Sequence, residues 1–482
     1  MRGDDIPLGL TFDDVLLLPR RSSIESRYEV STKTRFTRNI WINIPLVSSP
    51  MDTVTEEEMA ITLARLGGIG VIHRFTSIDR QVEMVKRVKR AENITIDEPY
   101  AIPPDATIGD ARRLSEKYKV TGFMVVENGR LIGILSRRDM LFQPDDRKVR
   151  DVMTPRERLI VARGGISLDD AKELLWKNRV EKLPIVDEED RLLGLITAAD
   201  IVKRMKYPQA VRDSKGRLIV AAAIGIRRDR EERASRLVEA GVDALVIDVA
   251  NGYLDRVIDT VKQLKRDYPD IDVVAGNVAT AEGARALAEA GADAIRVGIG
   301  PGSVCTTRIV AGVGVPQLTA ITDSYQAVRE FDVPVIADGG IRNPGDIVKA
   351  LAAGAEAVMI GRLFAGTDES PGRIVLRNGR RYKIYRGMAS FYARLGRDAD
   401  ERGGIDLSDE IEGYAYTSEG IEAYVEYRGS IEELVNRLIS GLRAGMAYIG
   451  AGSIREMPEK AIFIRVTNAG LRESYPHDVM EF

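Results

Sequence analysis

The chain has 482 residues, 44% apolar and 30% charged, and its 70 basic and 73 acidic side chains leave a net charge of −3. That length suits two or three domains, and the well-mixed charge excludes the basic footprint of a nucleic-acid-binding protein. One cysteine and two histidines exclude an intramolecular disulfide and a zinc-type cluster.

No apolar run reaches the roughly 18 residues of a membrane-spanning helix. The opening Met1-Arg-Gly-Asp-Asp5 lacks the apolar core of a signal peptide. A cytoplasmic protein with no membrane partner is expected.

Along the chain, short β-rich runs alternate with amphipathic segments. They fall at 45–49, 68–72, 218–222, 244–248, 273–276, 294–297, 333–338 and 357–360. This is the rhythm of βα units closing into a parallel barrel, so the predicted fold is α/β, a (β/α)8 TIM barrel. The chemistry-bearing segments 48–52, 248–252, 298–308, 338–340 and 361 each follow a run, where such a barrel places its active site.

The barrel is interrupted. Residues 1–91 form its first part, 92–207 an insertion and 208–482 its second part. Within the insertion, Gly133-Ile-Leu-Ser-Arg-Arg-Asp139 returns 61 positions later as Gly194-Leu-Ile-Thr-Ala-Ala-Asp200 (194 − 133), each copy preceded by strand, turn and strand. The copies, 92–150 and 151–207, imply a pseudo-twofold module. It resembles a tandem CBS pair, and that resemblance implies a regulatory adenine or guanine nucleotide met by Ser136, Asp139, Thr197 and Asp200. The alternative is a dimerisation module without ligand.

The only cysteine, Cys305, lies in Gly298-Ile-Gly-Pro-Gly-Ser-Val-Cys-Thr-Thr-Arg308. Free cysteine is more often a small buried hydrophobe than a reactive group. Here Gly298, Gly300 and Gly302 permit backbone angles that let a ligand approach the main chain, which points to a nucleophile. Gly339, Gly340 and Gly361, following the seventh and eighth strands, are placed to present N–H groups to a phosphate, and the Asp338 carboxylate can accept both hydroxyls of a ribose.

Together with Pro50-Met-Asp-Thr-Val54, Gly67-Gly-Ile-Gly70, Gly312-Val-Gly-Val-Pro-Gln317, Ala337-Asp-Gly-Gly-Ile341 and Tyr385-Arg-Gly-Met388, these segments resemble the IMP dehydrogenase and GMP reductase family over nearly the whole chain. The resemblance implies that Cys305 attacks C2 of a purine nucleotide while hydride moves between C2 and a nicotinamide cofactor, NAD(P)H or NAD. It assigns Ser303, Gly340, Gly361 and Tyr385 to the 5′-phosphate, Asp338 to the ribose, and Gly387 and Met388 to the base side. Asp248, Asn251 and Gly298 go to the cofactor. A monovalent cation, potassium, would be held by main-chain oxygens of Gly300, Gly302 and Cys305 with Glu473, Ser474 and Tyr475 of a neighbouring subunit. A homotetramer, or an octamer formed through the inserted pairs, is implied in the same way. Arg362 departs from the family, whose members often carry a small residue there.

The family contains two reactions. Its dehydrogenases activate water with an adjacent Arg-Tyr pair on a flap, expected here at 389–425. Between Met388 and Glu419 the arginines are Arg394, Arg397 and Arg402, and none precedes a tyrosine. Asp248-Val-Ala-Asn-Gly-Tyr253 resembles the reductase loop more than the Asp-Thr-Ala-His-Gly-His of dehydrogenases, and Tyr416-Thr-Ser-Glu-Gly420 resembles the reductase segment with its catalytic Glu. GMP reductase, with Thr307 and Glu419 moving the proton that releases ammonia, is the favoured expectation. IMP dehydrogenase is the alternative, supported by the insertion, the longer flap and the tail Gly470-Leu-Arg-Glu-Ser-Tyr-Pro-His-Asp478. A third reading, a barrel without turnover that senses nucleotide, is opposed by the intact Cys305, Thr307, Asp338 and Glu419 set.

Overall fold

In a computed structural model of the chain, the described residues are 6–91, 99–118, 120–391, 393 and 418–476, with the side chains of Asp200 and Lys203 excepted. Most of the expected flap, including Arg394, Arg397 and Arg402, and the end of the tail from His477 lie outside them.

The chain divides into two compact units, one of Met1–Ala91, Gln209–Asp213 and Leu218–Phe482, the other of Glu92–Pro208 and Ser214–Arg217. In the first, eight parallel strands close into a barrel: β1 (Leu46–Ser48), β2 (Ile69–Ile72), β3 (Ala221–Ile224), β4 (Ala244–Ile247), β5 (Asp272–Val278), β6 (Ala294–Val297), β7 (Val335–Asp338) and β8 (Ala355–Ile360). β8 returns to β1 with Met359 opposite Val47. All eight expected runs are strands; the third begins at Ala221 rather than Leu218.

Alternate strand positions point inward. Val47, Ile69, Val71, Ala221, Ala223, Ala244, Val246, Ala294, Ile336, Ala357 and Met359 form one buried cluster, closed at its lower end by Phe36 and Ile42. Inward alanines on β3, β4, β6 and β8 share that cluster with larger valines, isoleucines and Met359, which fills a barrel whose interior is only side-chain wide. Each fully buried Val, Ile or Leu contributes about 1.5–3 kcal/mol over exposure, so the interior is rigid, and the loops above it inherit fixed anchors.

The outer helices are α1 (Glu57–Arg65), α2 (Ile78–Arg90), α3 (Arg230–Glu239), α4 (Asp255–Asp267), α5 (Ala281–Glu289), α6 (Gln317–Val328), α7 (Pro344–Ala352) and α8 (Ile431–Ile449). Their starts follow from the sequence. Ser77, Thr280 and Asn343 accept from the backbone N–H three residues on, and Pro344 opens α7. No described helix is long and apolar enough to cross a membrane.

In the second unit the repeat appears as two matching folds. Each has a short strand (Ala101–Ile102; Ala162–Arg163) parallel to the first strand of a hairpin (Gly122–Glu127 with Arg130–Ser136; Lys182–Val186 with Leu192–Thr197), and a helix between (Ile108–Tyr118; Leu168–Asn178). Met124, Leu131, Ile134, Val186 and Leu195 pack into one cluster that joins the copies.

Candidate active site

The strand ends of the barrel enclose a cavity of about 450 Å³, within the size range of small-ligand pockets. Cys305 lies in the loop after β6. Arg308 ties that loop together, its Nε donating to the Ile299 carbonyl (3.2 Å) and its Nη2 to that of Val315 (2.5 Å).

Glu419 arrives from 112 residues further on. The strands Ile374–Arg377, Arg380–Arg386 and Glu422–Glu426 form an antiparallel sheet, and the chain just before its last strand is laced to the cysteine loop. Thr306 N–H donates to the Glu419 carbonyl (2.9 Å), Ile421 N–H to Val304 (3.0 Å) and Gly387 N–H to Ile421 (3.0 Å). A Cβ on Gly387 would lie 2.9 Å from the Val304 carbonyl oxygen, so only glycine lets these backbones approach. The result is a chain of side chains. Cys305 Sγ is 3.2 Å from Thr307 Oγ1, which donates to Glu419 Oε2 at 2.8 Å.

At another end of the cavity, Gly339 and Gly340 follow β7, both at positive φ, and Gly361 follows β8. A Cβ on Gly361 would stand 2.8 Å from the Tyr385 hydroxyl. Burial pushes the Tyr385 phenol up to about 12, against the opposing effect of a hydrogen bond with Ser303. Tyr385 therefore stays a hydroxyl at neutral pH.

Between these ends, Arg296 of β6 is buried. Its Nε donates to Asp338 Oδ2 (2.9 Å) and its Nη1 to Asp248 Oδ1 (2.8 Å). Burial opposes the guanidinium charge, yet the two carboxylates outweigh it and raise the Arg296 pKa. Asn277 Nδ2 donates to Asp338 Oδ2 and to the Gly298 carbonyl, each at 2.8 Å. Asp338 Oδ1 has no protein partner among the described residues, which leaves it open to a ligand hydroxyl. Asn277 also lines the cavity and carries a buried carbonyl oxygen with no hydrogen-bond partner. A ligand amide or hydroxyl would supply the missing donor.

The cavity thus gathers Cys305, Thr307, Glu419, Ser303, Asp338, Gly340, Gly361, Tyr385, Gly387, Met388, Asp248, Gly298, Gly300 and Gly302. Asn251 is not among its lining residues. Its Oδ1 accepts from Tyr253 N–H at 3.0 Å, so the exposed side chain closes a turn. Glu473 ends the helix Asn468–Glu473, with Ser474 and Tyr475 beyond it, and none of the three lines the cavity of its own chain.

In the inserted unit, Ser136 and Asp139 cap the helix Arg137–Met140 reciprocally. Ser136 N–H donates to Asp139 Oδ2 (2.8 Å), and Asp139 N–H to Ser136 Oγ (3.3 Å). A capping box accounts for these residue types on its own. Thr197 directly precedes the helix Ala198–Lys206; the Asp200 side chain lies outside the described residues.

Sequence reasoning missed Arg296, although an arginine in an apolar strand was the available signal. It also missed the N-terminal segment. Phe12, 1% exposed, is packed so that a Cβ on Gly340 would sit 3.2 Å from its ring, and Asp13 pairs with Arg342, which Asp346 also holds.

A thiol, a hydroxyl–carboxylate pair, a ribose-type carboxylate and a glycine cradle above a (β/α)8 barrel define a nucleotide-binding enzyme site. The chain matches the IMP dehydrogenase / GMP reductase domain over residues 9–477. It is 53% identical to the inosine-5′-monophosphate dehydrogenase of Aquifex aeolicus over 475 residues, covering 98% of this chain and 96% of that one. The Bacillus subtilis inosine-5′-monophosphate dehydrogenase is 49% identical at the same coverage. Among solved structures, a cysteine-to-alanine GMP reductase from Trypanosoma brucei in complex with guanosine 5′-monophosphate superposes with a TM-score of 0.91 at 45% identity, covering 99% of each chain. The chain belongs to the IMP dehydrogenase / GMP reductase family and is a purine nucleotide oxidoreductase.

Proposed function

We propose that the protein is a GMP reductase, converting GMP and reduced nicotinamide cofactor to IMP and ammonia. The observation that carries this reading is the hydrogen-bonded chain Cys305–Thr307–Glu419, in a sequence with no Arg-Tyr pair between Met388 and Glu419. In this reading Cys305 Sγ adds to C2 of GMP. The thiol proton passes through Thr307 and Glu419 to the 2-amino group, and the C2–N bond breaks as ammonia leaves. Hydride then adds to C2, the C2–S bond breaks to release IMP, and the thiolate takes a proton from solvent. No water has to be activated, so no dyad for that purpose is needed.

The glycine cradle with Ser303 and Tyr385 would hold the 5′-phosphate, and the open oxygen of Asp338 the ribose. The nicotinamide cofactor supplies the hydride when bound. Asp248 and the unsatisfied Asn277 oxygen fit its amide and ribose donors. Ser136, Asp139, Thr197 and Asp200 are proposed to meet a regulatory adenine or guanine nucleotide in a tandem CBS pair.

IMP dehydrogenase is the second reading. The curated relatives, at about half identity over nearly the full chain, bear that name and favour it over the reductase; the site residues favour the reductase. The same Cys305 adduct would then lose hydride to NAD and be hydrolysed. A paired assay separates the two. Consumption of NADH or NADPH with GMP, with IMP and ammonia formed, establishes the reductase, whereas NADH and xanthosine monophosphate formed from IMP and NAD establish the dehydrogenase.

A further inference from the structure

The segment Gly312-Val-Gly-Val-Pro-Gln317 ends on a residue that does not line the cavity. Gln317 is the first residue of α6 and is 1% exposed. Its side-chain amide meets the ends of two barrel strands. Nε2 donates to the Val297 carbonyl, at the end of β6 (2.9 Å), and to the Asp338 carbonyl, at the end of β7 (3.1 Å). Oε1 is buried without a hydrogen-bond partner among the described residues.

Val297 directly precedes the cysteine loop and Gln317 directly follows it, so the first of these bonds closes residues 298–316 into a ring. Arg308 ties the same loop internally, at Ile299 and Val315. The second bond joins the neck of the ring to the backbone of Asp338. Packing there is close: a Cβ on Gly298 would lie 2.2 Å from the Asp338 carbonyl oxygen and 3.0 Å from Gln317 Nε2. Burying an acceptor without a donor costs free energy that an apolar side chain of similar size would not incur. Stability alone therefore does not account for the amide.

We propose that Gln317 is a positioning residue that holds the Cys305 loop in register with Asp338, so that the thiol and the ribose carboxylate act on one bound nucleotide. This rests on the covalent purine-nucleotide reading and extends it to a side chain outside the cavity lining. Attack on a ring carbon needs the thiol within about 3–3.5 Å of it, while Asp338 fixes the ribose to which the ring is attached. A displacement between the two carriers is lost from turnover, not from binding.

The test compares the full-length parent with Gln317→Leu and Gln317→Glu. It uses steady-state turnover of GMP with NADPH and of IMP with NAD, nucleotide titration, and alkylation of the chain's single cysteine by iodoacetamide. Gln317→Leu keeps the bulk and removes both donated bonds. It is expected to lower kcat roughly 100-fold, with nucleotide affinity and Cys305 alkylation each within about threefold of the parent. In Gln317→Glu the introduced carboxyl donates only when protonated, so kcat relative to the parent should rise as pH falls. A kcat for Gln317→Leu within about fivefold of the parent overturns the assignment, as does a loss of nucleotide affinity equal to the loss of kcat. Should Gln317→Leu fail to fold, Gln317→Glu decides: a ratio to the parent that does not change with pH overturns the assignment. If the parent turns over neither GMP nor IMP, or Cys305→Ala stays active, the covalent reading falls and the assignment with it; equal turnover by an active parent and Gln317→Leu removes Gln317 alone.

Discussion

The two ends of the cavity are built in different ways. The cradle at the ends of β7 and β8 is local: Asp338, Gly339, Gly340 and Gly361 each stand at or just after a strand whose partner is its immediate neighbour in the barrel. The Cys305–Thr307–Glu419 chain is assembled across 112 residues and depends on backbone bonds between the cysteine loop and a separate antiparallel sheet. A local site tolerates disturbance elsewhere in the chain. In the proposed reaction the assembled one fails if either partner shifts by an ångström, because proton transfer needs hydrogen-bond distance.

The sharpest way to break the comparison is at Cys305. Cys305→Ala is expected to abolish turnover in either reaction direction while GMP and IMP still bind, measured by steady-state assay and by titration; appreciable residual activity would remove the covalent step. Next, Glu419→Gln should cut turnover by roughly 10²- to 10⁴-fold, the usual range for losing a general acid–base group, with little change in nucleotide affinity. If the protein is a dehydrogenase, hydride transfer in a single turnover should survive that change while product release slows.

At the cradle the effect should lie in binding. Gly361→Ala places a methyl 2.8 Å from the Tyr385 hydroxyl and should raise the nucleotide KM roughly tenfold, in line with overpacking costs of about 1–3 kcal/mol, with turnover at saturation far less affected. A KM unchanged from the parent would show that the cradle does not hold the substrate.

The smallest expected effect is on the support beneath the cradle. The hydrogen bond from Arg342 holds the Asp13 carboxyl below its ordinary value. Its stabilisation is therefore complete above the unfolded-chain value of about 4 and is lost as pH falls through the lowered folded value. Asp13→Asn should reduce the melting temperature slightly at neutral pH, and the difference from the parent should close in that acid window. A gap that persists to lower pH would point to a packing change around Phe12.

The same contrast governs what could be read from the chain. The barrel strands were legible because buried parallel strands are short apolar runs punctuated by turn residues; only β3 was displaced, since Leu218–Val220 are as apolar and buried as the strand they lead into. That Asp338, Gly340 and Gly361 stand at strand ends was legible for the same local reason. Asn251 has a chemistry that suits a ligand and a turn equally well; in the structure its side chain closes a turn, outside the lining of the cavity. Ser136 and Asp139 illustrate the same ambiguity, being sufficient for a helix cap whether or not a nucleotide binds.

By itself, the sequence determined the barrel, the repeat within the insertion, the cysteine loop and the family, because each is carried by short-range pattern and residue type. The tertiary structure alone decided that Arg296 bridges Asp248 and Asp338, that Phe12 packs near Gly340 and Asp13 pairs with Arg342 beside the loop after β7, and that Arg362 lacks a carboxylate partner among the described residues. Those are relations between residues distant in sequence. Hydrogen bonds and ion pairs depend on distance and direction in space, which local periodicity does not encode.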